Sequence, residues 1–124
     1  MAKIKVKVKT SRIHGRGLFA EQKIPEGAWI MQYTGQKLSR REGARRDRFY
    51  SSIGYSALFD VEDHYIDGIL GGNESVYINH SKKPNLEALI RRGGVWFQAL
   101  RDIKKGEELT FDYGFDPAAV KPRT

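Results

Sequence analysis

Glycine and proline cut this chain into apolar runs too short for most helices, and that punctuation limits its fold more than any other feature. Pro25-Glu26-Gly27, Gly71-Gly72, Gly93-Gly94 and Lys105-Gly106 are turn signals. Between and beside them lie apolar-rich runs at 18–20, 28–33, 55–61, 65–70, 86–90, 95–100 and 109–111, each of strand length. Near the N-terminus Ile4, Val6 and Val8 alternate with lysines over 3–9, the period of a half-buried strand. Lysines on its open side discourage edge-to-edge pairing. Gly93-Gly94, set between two apolar runs, predicts a hairpin tip. The class is mainly β.

Two segments carry helix signals. Ser39-Arg40-Arg41-Glu42 fits a capping box, with Ser39 accepting from the Glu42 N–H and Glu42 reaching back. The helix it starts runs to about Phe49 and has little apolar face, so it belongs on the surface. Asn73 is a good N-cap for a short turn toward Ile78. There is also an internal echo: Ala20, Ile24, Gly27, Ile30 and Gly35 recur 79 residues later as Ala99, Ile103, Gly106, Leu109 and Gly114. Either two related β-units pack about a shared centre, or glycine turns recur by chance.

At 124 residues the chain is a single domain, 1–124, with its core over about 11–115 and a loosely structured tail over 116–124. A composition of 40% apolar and 11% aromatic residues excludes intrinsic disorder. No apolar run reaches the ~18 residues of a membrane span. The N-terminus lacks the apolar region of a signal peptide, which points to an intracellular, cytoplasmic protein. The absence of cysteine removes disulfide scaffolds, thiol catalysis and cysteine zinc sites together. His14, His64 and His80 are scattered, so no metal site is expected.

Charge is distributed unevenly. The 22 bases exceed the 15 acids by 7. Lys37, Arg40, Arg41, Arg45, Arg46 and Arg48 face only Glu42 and Asp47 over 37–48, whereas Asp60, Glu62, Asp63 and Asp67 stand without a Lys or Arg over 60–67. Either the two stretches serve different partners through their fields, or both are solvated surface.

Three segments carry candidate chemistry. His14-Gly15-Arg16-Gly17 is a Gly-x-Gly turn that lets another group approach the backbone, or simply a tight turn. It lacks the third glycine of a dinucleotide site and the lysine of a P-loop. In Asn79-His80-Ser81-Lys82-Lys83-Pro84-Asn85, Asn79 and His80 have the donors and acceptors to fix a polar ligand, although Asn-His-Ser is also an ordinary turn. Gly106-Glu107-Glu108-Leu109-Thr110-Phe111-Asp112-Tyr113-Gly114 ends a strand in Tyr-Gly, which either presents a phenol at a cleft or packs it in the core.

Taken in order, the Gly-x-Gly turn, the Tyr33-x-Gly35 pair, the Asn-His-Ser segment and the final Tyr-Gly segment closely resemble the SET-domain protein-lysine methyltransferases. The resemblance covers about 11–115. It implies a SET-domain, β-clip-like fold: several small sheets, one or two short helices, and a knot-like crossing where the Asn-His-Ser and C-terminal segments meet. It implies an enzyme that transfers methyl groups from S-adenosylmethionine to a lysine of a histone or other basic protein. Chromatin is then a second location, by analogy of substrate.

The resemblance also assigns residues. Gly15, Arg16, Gly17, Asn79 and His80 would bind the cofactor, with Tyr55 near it on a looser alignment. Tyr113 would be the catalytic tyrosine beside the methyl group. Tyr33 and Phe111 would line the lysine channel, and Phe rather than Tyr at 111 leaves room for products beyond monomethyl-lysine. The chemistry needs a neutral amine aligned with a methyl carbon on a sulfonium. An unperturbed lysine, pKa ~10.4, is mostly protonated at neutral pH. Desolvation and a nearby cation lower that pKa, and a narrow channel supplies alignment. No strong base is evident.

Departures from the pattern matter. Position 82 is Lys where relatives often carry Cys, and the Cys-rich module that follows the final tyrosine in relatives has no counterpart here. The lid over the site is then left to the tail, to Phe115 or to a second copy in a homodimer. A different expectation is a non-catalytic module that holds nucleic acid through Arg40, Arg41, Arg45, Arg46 and Arg48. For the enzyme, the acidic stretch would face the cationic substrate.

Overall fold

The alternating Lys/Val segment at the N-terminus forms the outer strand of the sheet that carries the candidate site in this computed structural model, which describes residues 3–53 and 57–114. In chain order the elements are β1 (Val6–Thr10), β2 (Arg16–Ala20), β3 (Trp29–Tyr33), β4 (Gln36–Leu38), α1 (Arg40–Ser52), β5 (Leu58–Asp60), β6 (Tyr65–Asp67), a 3-10 turn (Glu74–Tyr77), β7 (Asn79–His80), β8 (Leu86–Arg91), β9 (Gly94–Ala99) and β10 (Glu108–Phe111). They build three small sheets, ordered β1-β2-β10-β7, β3-β9-β8 and β4-β6-β5. None of the described helices is long and apolar enough to cross a membrane.

The longer strands follow from the sequence. In β1, Val6 and Val8 are half-buried while Lys7 and Lys9 face water. Its register against β2 runs from Val6↔Ala20 to Thr10↔Arg16. The β8–β9 hairpin forms as expected, but its tip is Arg92-Gly93 rather than Gly93-Gly94. Gly94 already pairs with Arg91. The two-residue turn needs positive φ at both central positions, and Arg92 (φ 51°) and Gly93 (φ 74°) supply it.

Helix α1 starts where the capping signal placed it. Ser39 Oγ accepts from the Glu42 N–H at 3.1 Å. The Glu42 carboxylate turns toward Arg45 (3.8 Å) and Arg46 (3.9 Å). The helix runs three residues beyond Phe49, to Ser52, and buries Gly43 and Tyr50. Gly43 is needed for contact: a Cβ there would sit 2.1 Å from the Tyr65 ring. The Asn73 side chain caps the 3-10 turn through the Ser75 N–H at 3.0 Å. Strands β4 and β7, only 3 and 2 residues long, had no sequence signal.

The internal echo has a structural counterpart. Ile24 and Ile103 exchange both backbone hydrogen bonds, and around them Gly27 N–H bonds Ala99 O while Gly106 N–H bonds Ala20 O. Ala20 N–H bonds Glu107 O, and Ala99 N–H bonds Ala28 O. Every one of these contacts has its partner at the 79-residue offset, so the two β-units pack about a shared centre. Ile24 and Ile103 are fully buried with Leu18, Val95, Phe97 and Leu109.

Candidate active site

The pairing of β7 with β10 brings the distant motifs together. The two strands are parallel, with Thr110↔Asn79 and Phe111↔His80, and Ser81 N–H continues the pairing to Phe111 O at 3.1 Å. Asn85, from the end of the Asn-His-Ser segment, stands in for a strand. Its Oδ1 accepts from Thr110 N–H and its Nδ2 donates to Glu108 O, both at 2.8 Å. The edge of β10 is therefore paired by β7 and, beyond it, by the Asn85 side chain.

Asn79 ties β7 to the Gly-x-Gly turn. Its Nδ2 lies 2.8 Å from Glu108 Oε2, 3.0 Å from Arg16 O, and 3.2 Å from both His14 O and Ser11 Oγ. Gly17 packs closely on β10: a Cβ would fall 2.3 Å from the Glu108 carboxylate and displace it. Gly15 has φ 46°, a left-handed conformation that favours glycine. The Arg16 side chain is exposed and makes no ion pair among the described residues.

His80 and Tyr113 form the next layer. Tyr113 donates its backbone N–H to His80 Nδ1 at 3.0 Å and its phenol O–H to Ile78 O at 2.6 Å. Because Nδ1 accepts, a neutral His80 carries its proton on Nε2. Burial, then the nearby Glu108 charge, pushes the Tyr113 phenol up to about 12. It therefore remains a hydrogen-bonding phenol at neutral pH and not a base.

Beyond Tyr113 lies a run of rings. Phe111 lies 4.7 Å from Tyr113, 5.1 Å from Phe97 and 5.8 Å from Phe59, on which it stacks. Tyr33 completes the group at 5.4 Å from Phe59 and 6.4 Å from Phe97. It is buried and donates its O–H to Ala57 O. Burial raises its pKa strongly, with Tyr113 and Asp67 adding to the effect.

Of the residues singled out in the sequence, Arg16, Gly17, Asn79, His80 and Phe111 lie in one sheet, Gly15 and Tyr113 just beyond its strand ends, and Tyr33 joins them through the rings. Tyr55 lies outside the described residues. Sequence reasoning missed Ser11, Phe59, Phe97 and the role of Glu108. For Phe97 a signal existed: Val95, Phe97 and Ala99 alternate inward along β9.

The acidic stretch differs from expectation. Asp67 is fully buried and accepts from Arg46 (2.9 Å), the Tyr50 O–H (2.7 Å) and Ile69 N–H (2.9 Å). Asp60 pairs with Arg40. Internal partners thus engage Asp60 and Asp67 of the acidic stretch and Arg40 and Arg46 of the basic one, leaving Glu62 and Asp63 facing water on one side, Asp63 also 2.5 Å from His64 Nδ1. Arg41, Arg45 and Arg48 face water on the other.

S-adenosylmethionine, the cofactor the resemblance implies, fits the groups present. The turn is open at Gly15 beside the exposed Arg16 guanidinium, which suits a carboxylate, and the rings of Phe111 and Tyr113 suit a cation.

The sequence matches the SET domain family over residues 15–114. It is 39% identical to a histone-lysine N-methyltransferase, H3 lysine-4 specific, of Aspergillus oryzae, over 90% of this chain and 10% of that protein. It is 38% identical to the histone-lysine N-methyltransferase SUV39H1 of Xenopus laevis, over 91% of this chain and 30% of the relative. Among solved structures, Chaetomium thermophilum Polycomb Repressive Complex 2 bound to GSK126 aligns with a TM-score of 0.82 and 36% identity, over 91% of this chain and 16% of that one. A structure described as ctPRC2 in an autoinhibited conformation bound to S-adenosylmethionine aligns at 0.77 and 35%, over 91% of this chain and 15% of that one. The chain thus spans between a tenth and a third of these curated relatives.

Proposed function

The chain belongs to the SET-domain family, and from that premise we propose that it is an S-adenosylmethionine-dependent protein-lysine N-methyltransferase. The observation that carries this reading is the position of the Tyr113 phenol. It is held by Ile78 O on the side of the Asn79–His80 turn, and its ring lies 4.7 Å from Phe111 at the start of the aromatic group. One residue therefore touches both halves of the arrangement.

Gly15, Arg16, Gly17, Asn79 and His80 would hold the cofactor, which when bound supplies an electrophilic methyl carbon on a sulfonium. The exposed Arg16 guanidinium suits its carboxylate. Tyr33 and Phe111, with Phe59 and Phe97 behind them, exclude water from the approaching lysine side chain. A desolvated ammonium gives up its proton more readily, so the rings favour the neutral nucleophile. The rate gain then comes from positioning and electrostatics.

Several relatives are named as histone-lysine methyltransferases, which supports a lysine-bearing protein substrate, a histone among them, and a chromatin setting. The test is calorimetric binding of S-adenosylmethionine followed by labelled-methyl transfer onto lysate proteins. Wild type binds and transfers; Tyr113→Phe binds and transfers poorly. Binding without transfer by wild type would leave a regulatory module instead.

A second reading concerns α1. Arg40 and Arg46 are engaged by Asp60 and Asp67, but Arg41, Arg45 and Arg48 are exposed. On a helix these three lie within about 60° of one another and span about 10 Å, a spacing suited to successive phosphates. This charged stripe supports nucleic-acid contact alongside catalysis. Replacing all three with alanine should weaken duplex binding and lower its salt slope by about three. An unchanged slope would remove the reading.

A further inference from the structure

The Glu108 carboxylate has no role in the scheme above, yet it sits where the two ligand-binding segments meet. Oε1 accepts from Ser11 Oγ at 2.7 Å, with Oε2 2.9 Å from the same hydroxyl. Oε2 also accepts from Asn79 Nδ2 at 2.8 Å. Ser11 Oγ in turn accepts from Ile13 N–H at 2.9 Å, and Ser11 N–H closes the turn on Gly15 O at 2.8 Å. One carboxylate thus anchors both the loop that leads into Gly15-Arg16-Gly17 and the side chain that follows it across the sheet.

The chemistry of these groups gives the arrangement a direction. A carboxylate only accepts, so it selects the donor end of the Asn79 amide. The amide nitrogen is turned inward toward Glu108, Arg16 O and His14 O, and Oδ1 takes no hydrogen bond among the described residues. Asn79 is left with an acceptor for a ligand ammonium. The carboxylate packs directly against Gly17, so any larger residue there would displace it.

We propose that Glu108 is a positioning residue for cofactor binding, acting through Ser11 and Asn79 without touching the reacting atoms. This rests on the functional reading above and adds the group that presets its binding surface. In Glu108→Gln, one oxygen becomes an NH2 group. Either that group meets the Asn79 amide donor, or it faces the Ser11 hydroxyl, which keeps only the longer contact to Oε2 and shares that oxygen with Asn79.

The test uses the full chain. Calorimetry should show Glu108→Gln weakening S-adenosylmethionine binding about tenfold or more. Ser11→Ala should weaken it about threefold to tenfold. In the cofactor-free protein, both variants should speed amide hydrogen exchange across residues 13–17 while leaving β8 and β9 protected. In turnover, the cofactor KM should rise in both with kcat and the peptide KM little changed; a merely destabilised fold would instead lower kcat through a smaller active fraction. If Glu108→Gln does not fold, Ser11→Ala carries the test alone. Wild-type affinity and wild-type exchange in the variants, with wild type binding cofactor, would overturn the positioning role and leave the functional reading intact. A wild type that binds no cofactor would overturn both.

Discussion

Tyr113 gives its backbone N–H to Nδ1 of His80 across 3.0 Å, so a residue of the last described segment orients an imidazole 33 positions earlier. The same tyrosine returns its phenol O–H to Ile78 O. Backbone and side chain therefore grip β7 and its approach together, and the ring plane is fixed before any ligand arrives.

Removing the phenol oxygen should separate binding from transfer. Tyr113→Phe loses the bond to Ile78 O but keeps the ring among Phe111 and His80. Cofactor affinity should change by less than about threefold while kcat falls by roughly tenfold or more, about 1.4 kcal/mol of transition-state positioning. Calorimetry and labelled-methyl kinetics on the same preparation read both.

Phe111→Tyr should narrow the product range. Phe111 packs on Phe59, Phe97 and Tyr113, so a hydroxyl at its tip is forced into the aromatic group. Wild type should yield di- or trimethyl-lysine and the variant chiefly monomethyl-lysine, by mass spectrometry of a lysine peptide. An unaltered product ratio would show that position 111 does not set the limit.

Buried Asp67 should dominate the stability of the α1 face. Asp67→Ala leaves Arg46 and the Tyr50 O–H without their acceptor and should cost about 3 kcal/mol, read by urea unfolding. Substitution of the exposed Glu62 by Gln, at a side chain with no ion pair among the described residues, should leave stability nearly unchanged.

Alkaline pH should weaken the fold in a defined window. Burial is the main cause that raises Tyr50 and Tyr113 from 10 to about 12, with the Asp67 hydrogen bond adding at Tyr50. Between those values the unfolded chain loses phenolic protons that the folded chain keeps, so unfolding becomes easier as pH rises. The contribution is intact below pH ~10 and disappears through about 12. Melting temperatures from pH 8 to 12 should fall in that range, less steeply in Tyr50→Phe.

Much of the frame was legible because its signals are local. The Ser39 cap, the lysine alternation of β1 and the glycine turns act within a few residues of chain. The 79-residue echo was legible as spacing, while the reciprocal Ile24–Ile103 bonds that give it meaning were not. Asp67 misled because a formal charge says nothing of burial, and its partners Arg46 and Tyr50 lie 21 and 17 residues away. The β7 strand was illegible for a related reason: two residues have no period, and pairing with the distant β10 makes them a strand. Glu108 stood in plain view within a motif, but its role needs Ser11 brought from 97 residues away.

With Asp60 and Asp67 engaged internally, Glu62 and Asp63 are the acidic groups left to face a cationic substrate. Reversing both to lysine should raise the KM for a basic peptide and leave the cofactor KM unchanged, more so at low salt. An unchanged peptide KM would place the substrate elsewhere.

The central claim is tested most directly by incubating the wild-type chain with methyl-labelled S-adenosylmethionine and a mixture of histone and lysate proteins, beside the same mixture with its lysines acetylated. The account predicts label on lysine in the first sample and none in the second. Label in neither sample, from a chain that is folded and binds cofactor, would contradict it.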